Sequence, residues 1–229
     1  MPETMEQSQP AELRFLRLLA SYLAAQLAGD LRGALRLLDE SLVRGASVTD
    51  LQCQVIQAAQ RELGRLWQQG RVDIAEEHRA TAISQVALAH LFARAQPAPA
   101  RGVSVAVACV EGELHEMPAR LLSDFLELAG FTVMHLGANL PTDSLVSLLE
   151  REPPDVLALS VTMLFNIPAL RRAVVEVRGL MGPTLPILVG GSAINALPGL
   201  AEELGVASAG PTPAELESAV LRAVARRLH

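Results

Sequence analysis

In the N-terminal half, apolar side chains recur at helical spacing. Leu13, Leu16, Leu19, Leu23 and Leu27 form one set, and Leu31, Leu35, Leu38 and Leu42 a second. Leu51, Val55, Ala59, Leu63 and Trp67 form a third, and Ile74, His78, Ala82 and Val86 a fourth. Each set predicts one face of a helix with a period near 3.6. Breaks fall between the sets. Gly29-Asp30 ends the first helix and caps the second, and Gly45 stops the second. Ser47-Val-Thr-Asp50 has the form of a capping box for the third, Gly70 closes it, and Asp73 caps the fourth. Four helices joined by short turns predict an up-down bundle over residues 10–95. Residues 1–9 are polar and acidic and are expected to be disordered.

A Pro-rich linker at 96–101 separates this region from one of different texture. Val103 to Cys109, Thr132 to Leu136, Val156 to Ser160 and Ile187 to Val189 are short continuous apolar runs, with Val206 to Ser208 a weaker fifth. Helical stretches lie between and after them, near 117–130, 142–151, 167–180, 194–204 and 212–228. Strands alternating with helices predict a parallel, doubly wound sheet. The expected class is therefore α + α/β: a four-helix bundle cap followed, over 102–229, by a flavodoxin-like, Rossmann-type sheet of five strands. Ligands of such sheets sit at the carboxyl ends of the strands.

Composition narrows the function. Hydrophobic residues make up 50% and charged residues 19%, so a packed core is expected. A net charge of −6 argues against direct nucleic-acid binding and against an anionic membrane surface. All 19 basic residues are Arg, which excludes a Lys Schiff base and a P-loop Lys. Aromatic content of 3% is too low for a base-stacking platform. Cys53 and Cys109 are too few for a zinc site, and both are expected to be buried thiols in a reducing cytoplasm. Neither a membrane-spanning run nor a basic leader segment is evident.

Candidate chemistry gathers at three strand tips. The first strand runs into Cys109-Val-Glu-Gly-Glu-Leu-His-Glu-Met-Pro118, where Glu113, Leu114, His115 and Glu116 come directly after the strand. Imidazole is the commonest metal ligand, and a carboxylate on its far nitrogen orients it. A solvated loop with acidic helix-start residues is the plainer alternative. The third strand ends in Ser160-Val161-Thr162, and the fourth in Gly190-Gly191-Ser192. His135, in the second strand, is expected to have a core or edge role rather than to bind metal.

Together these residues resemble the cobalamin-binding signature of methionine synthase and the corrinoid mutases: Asp-x-His-x-x-Gly, Ser-x-Leu and Gly-Gly. Here the elements read Glu113-x-His115-x-x-Pro118, Ser160-x-Thr162 and Gly190-Gly191, with 41 residues between the first and second and 27 between the second and third. The resemblance implies that His115 is the lower cobalt ligand, replacing the cofactor's own base, and that Glu113 holds its other nitrogen. Ser160 and Thr162 would line the slot for the displaced tail, which Gly190 and Gly191 would let pass. Glu in place of Asp adds one methylene, and Pro118 in place of Gly suits a first helical turn. The bundle resembles the cap of the same family.

Trp67 followed by Glu77-His78 resembles the Trp-x9-Glu-His motif of CarH and LitR-type adenosylcobalamin photoreceptors, in which these residues border the adenosyl group. From pattern alone, Trp67 and His78 read as helix-core residues, and the corrin signature beneath them is what favours an adenosyl pocket. Gln68 stands where the photoreceptors carry the His that becomes the upper ligand after light, so the ligand in that state is left open. Only about ten acidic and polar residues precede the bundle, and no DNA-binding segment is expected there. The resemblance implies a photosensory or cofactor-sensing protein, not an enzyme, that binds adenosylcobalamin and acts through a regulatory protein partner or self-association. An antirepressor of the AerR type is a related implication. The alternative is a corrinoid methyl carrier of a methyltransferase system, loaded with methylcobalamin or hydroxocobalamin.

Overall fold

The computed structural model describes residues 11–227, so the disorder expected of residues 1–9 falls outside it. The chain divides into two compact units, Met1–Ala95 and Gln96–His229.

The first unit is helical. Helices α1 (Ala11–Ala28) and α2 (Leu31–Val43) precede a longer rod, α3. This rod opens as an α-helix over Val48–Leu51, widens into a π-helix over Gln52–Gln57 and returns to α geometry over Ala58–Gln68. Helix α4 is Ile74–Phe92. Side chains satisfy the helix starts. Asp30 Oδ1 accepts from the Gly33 N–H at 2.8 Å. Asp73 and Glu76 form a reciprocal capping box at 2.8 and 2.9 Å. Ser47 makes half of the expected box: its Oγ accepts from the Asp50 N–H at 3.0 Å and donates to the Asp50 carboxylate at 2.6 Å.

Several expected helix faces are turned. In α1, Tyr22 and Gln26 are fully buried, whereas Leu13 and Leu16 lie at the surface. In α3, Leu51, Val55, Ala59 and Leu63 are buried as expected, but Trp67 is 46% exposed and Leu66 takes the inward place. In α4 the whole expected set faces outward. Ile74 is 62% exposed, and His78, Ala82 and Val86 are also at the surface. Ala80, Ile83, Ser84, Ala87, Leu88 and Leu91 form the inward face. A strict spacing of four oversteps each turn by about 40°, so such a line winds around the helix rather than along it. Small apolar residues on every side of α4 left no contrast to reveal the true face. Cys53 is half-buried, which corrects the expectation for that thiol, while Cys109 is buried.

The second unit is a parallel sheet. Its strands are β1 (Ser104–Cys109), β2 (Thr132–His135), β3 (Val156–Ser160), β4 (Ile187–Gly190) and β5 (Ala207–Ser208). Their spatial order is β2-β1-β3-β4-β5, the flavodoxin-like order. Helices α5 (Met117–Leu128), α6 (Thr142–Arg151), α7 (Ile167–Met181) and α10 (Pro213–Arg227) flank it. Alternation along β1 sends Ala106 and Ala108 into one core with residues of α6 and α7, and Val105, Val107 and Cys109 into a second with residues of α5 and α10. Burial on both faces is why the strands read as continuous apolar runs. The single helix expected near 194–204 is two short ones, α8 (Ser192–Ala196) and α9 (Leu200–Glu203). Pro198 and Gly199, the latter at φ 89°, separate them. Among the described residues, no helix is long and apolar enough to cross a membrane.

Candidate functional site

Three strand tips form one row. In the sheet register Cys109 stands beside Ser160, and Ser160 beside Gly190. The loops after these residues therefore leave the same edge of the sheet.

Glu113 anchors the first of these loops. Its side chain is fully buried and accepts five hydrogen bonds. Oε1 takes the backbone N–H of His115 at 3.0 Å and pairs with His115 Nδ1 at 2.5 Å. Oε2 takes the backbone N–H groups of Thr162 and Met163, both at 2.9 Å, and Asn166 Nδ2 at 3.0 Å. Burial acts to raise the pKa of this carboxyl. The bonds from the His115 side chain, the Met163 backbone, Asn166 and the His115 backbone outweigh it and hold the pKa at about 2. An anionic acceptor at Nδ1 keeps the ring proton there, which gives Nε2 the lone pair that a metal needs. The ring is 54% exposed.

Two asparagines that the sequence did not single out brace the same loop. Asn166 reaches Glu113 from the turn after β3 and also donates to the Gly112 carbonyl at 3.3 Å. Asn139, the one described non-glycine residue with positive φ, accepts from the Gly112 N–H at 2.8 Å. Its own N–H donates to the Glu113 carbonyl at 2.8 Å. Arg172 pairs with Glu111 at the start of this loop.

The remaining expected site residues divide between core and surface. Ser160 and Val161 are buried, and Val161 packs into the sheet core. Thr162 serves the site through its backbone N–H, and its Oγ1 is buried without a hydrogen-bond partner. Gly191, at φ 106°, presses on the β3 loop so closely that a Cβ would lie 2.1 Å from the Val161 carbonyl oxygen. Gly190 is less constrained, its Cβ meeting only Ala209 at 3.4 Å. Leu114 and Ser192 are not buried, and Glu116 pairs with His135 at 3.0 Å. His135 also bonds Ser123 at 2.9 Å, which gives it an edge-strand linking role. Burial, with Glu113 and Glu116 nearby, pushes the Cys109 thiol up to about 12. It stays protonated at neutral pH.

In the helical unit, the Trp67 indole is at the surface and His78 Nδ1 lies 2.7 Å from Glu77 Oε2. Neither Trp67 nor His78 is a core residue, which removes the packing alternative for both.

The strand-tip residues fit a cobalamin on their own chemistry. Among the described residues, no group of three His, Cys, Asp or Glu side chains is placed to hold a metal ion. One oriented imidazole suits a metal whose remaining positions the cofactor fills. The Thr162 hydroxyl is a buried polar group awaiting a partner. Leu114, Leu164 and Phe165 are 72%, 55% and 70% exposed on the same loops, an uncovered apolar rim.

Comparison with known proteins accords with this geometry. Residues 103–220 match the model of the B12 binding domain. The chain belongs to the B12-binding domain family. Residues 18–92 of this B12-binding protein match a second B12 binding domain model. It is 28% identical over 189 residues to the HTH-type transcriptional repressor CarH of Myxococcus xanthus, covering 81% of this chain and 61% of that protein. It is 37% identical over 90 residues to the HTH-type transcriptional repressor CarA of the same organism, covering 39% and 31%. The B12-binding protein thus spans less than two thirds of the length of either repressor. The monomethylamine corrinoid protein of Methanosarcina barkeri shares its fold, with a TM-score of 0.75 at 15% identity over 90% of this chain and 99% of that one.

Proposed function

We propose that this cobalamin-binding protein is a light-responsive regulatory module, specific for adenosylcobalamin, that signals through a protein partner or self-association. The observation that carries the cobalt-binding part of this reading is the Glu113–His115 pair, a half-exposed imidazole with its proton pinned away from the ligand side. His115 Nε2 would hold the cobalt from below, with Glu113 fixing the ring. Ser160 and Thr162 would line the tail slot, with the unused Thr162 hydroxyl turned to account there. Trp67, Glu77 and His78 would border the upper ligand. Exposure of the indole supports this, since a buried Trp67 would have no surface to offer. The bound adenosyl form supplies a cobalt–carbon bond that visible light breaks. Similarity to a transcriptional repressor over 81% of this chain favours regulation over methyl transfer.

The test is an absorption spectrum. Purified full-length protein mixed with adenosylcobalamin in the dark is expected to turn red, with a base-off, His-on spectrum. His115→Ala should lose that signature and bind more weakly. A brief green-light pulse should then change both the spectrum and the gel-filtration elution volume. A dark complex that light leaves unchanged refutes the light reading. Uptake of methylcobalamin with rejection of adenosylcobalamin favours the corrinoid methyl carrier instead.

A further inference from the structure

Beside the largely apolar inward face of α4 runs a short polar stripe. Glu77, Thr81 and Ser84 stand at i, i+4 and i+7 along it, neighbours on one side of the helix. They connect to Gln60 on α3 and to Tyr22 and Gln26 on α1. Ser84 is fully buried and lies 2.8 Å from Gln60 Nε2, 2.6 Å from Gln26 Nε2 and 3.3 Å from the Tyr22 hydroxyl. Thr81 Oγ1 lies 3.0 Å from Gln60 Oε1 and 2.7 Å from Glu77 Oε1. Glu77 in turn meets His78 through its other oxygen.

Counting protons gives this chain two states. With the Gln60 amide nitrogen towards Ser84, two amide groups fill the Ser84 lone pairs, and the Ser84 proton points to Tyr22. Thr81 has one proton and two acceptors, so Gln60 and Glu77 compete for it. Rotating the Gln60 amide by half a turn exchanges its oxygen and nitrogen without moving any other heavy atom. Ser84 then donates to Gln60, Gln60 donates to Thr81, Thr81 gives its proton wholly to Glu77, and Tyr22 donates to Ser84. The bonds between Thr81 and Tyr22 reverse direction together. Buried networks of this kind couple their members more strongly than isolated pairs.

We infer that the Glu77–Thr81–Gln60–Ser84–Tyr22 chain is a two-state relay that carries the ligand state at Glu77 and His78 through α3 into α1. This rests on the proposed role of Glu77 and His78 as residues of the upper face. A ligand that donates to Glu77 weakens that carboxylate's hold on the Thr81 proton and favours the first state. An unengaged Glu77 takes that proton and selects the second. Gln60 lies three residues beyond the π-helical segment Gln52–Gln57. Such segments are where a helix can adjust its pitch, which gives the rearrangement a place to act. Thr81 and Gln60 are positioning residues in this scheme and do not touch the cofactor.

Hydrogen exchange on the full chain tests it, with adenosylcobalamin or methylcobalamin added in the dark. Wild type is expected to change exchange in the α1 segment around Tyr22 by about fivefold or more with adenosylcobalamin, and much less with methylcobalamin. Thr81→Val keeps the side-chain shape and removes the hydroxyl. It should retain the His-on spectrum yet lose the α1 response, and Thr81→Ser should restore it. Gln60→Glu presents oxygens to both neighbours and should hold α1 in one exchange regime whichever cofactor is bound. A response in both Thr81→Val and Gln60→Glu equal to wild type overturns the relay, as does failure of Thr81→Ser to differ from Thr81→Val. Wild type that binds adenosylcobalamin His-on but leaves α1 unmoved also overturns the relay, with the site reading intact. Failure to bind adenosylcobalamin at all overturns both.

Discussion

Replacing Glu113 by Gln removes one charge while preserving shape, and the donors around it dictate the outcome. Five donors converge on the two carboxylate oxygens. A Gln amide offers one oxygen and one NH2 group, so donors must face donors on one side. Three donors meet Oε2 and two meet Oε1, so the NH2 group goes to the Oε1 position. There it forces His115 Nδ1 to become an acceptor. The ring proton moves to Nε2, the atom required by the metal. Loss of such a partner typically weakens metal binding by about 10–100-fold. Stability changes as well. The drop in the Glu113 pKa from 4.5 to about 2 corresponds to about 3 kcal/mol. Solvent screening through the half-exposed imidazole lowers that to about 2 kcal/mol. Because the folded-state pKa is depressed, this contribution is complete above pH 4.5 and disappears as pH falls towards 2. Urea unfolding of the apo protein from pH 3 to pH 7 should therefore show wild type gaining on Glu113→Gln as pH rises. A spectral titration with cobalamin at pH 7 should show the loss in affinity. Parallel pH profiles together with an unchanged His-on spectrum would refute the reasoning.

Other consequences are equally concrete. Asn166→Ala removes one of five bonds to Glu113 and the tie to Gly112. It should destabilise the apo protein by about 1 kcal/mol and weaken cobalamin binding several-fold in the same titration. Gly191→Ala places a Cβ against the Val161 carbonyl at a φ of 106°. It should cost about 2 kcal/mol or more, read as a lowered Tm, whereas Gly190→Ala should be nearly neutral by the same measurement.

The sheet unit was largely legible because strands buried on both faces leave unbroken apolar runs, and because the Glu113–His115 pair is local in sequence. Asn139 and Asn166 were not legible, since each reaches the loop from a different strand tip and polar loop residues carry no periodic signal. The contribution of Thr162 runs through its backbone N–H, which no side-chain identity announces. In the bundle, an Ala-rich α4 hides its inward face, and a polar stripe of Glu77, Thr81 and Ser84 at its margin breaks the apolar pattern by which such a face is sought. Trp67 was drawn into the core set by a spacing that the helix does not sustain.

The carboxylate at Glu113 accepts hydrogen bonds from backbone in the loop after β3 as well as from its own loop after β1. The acceptor that orients the imidazole is therefore held from two strand tips at once. Reorienting that ring means giving up a bond whose acceptor cannot follow, because Glu113 is itself held from the loops of two neighbouring strands. A protein built this way fixes the acceptor rather than the ligand, so a ring that lets go of Glu113 has the same buried anion to return to.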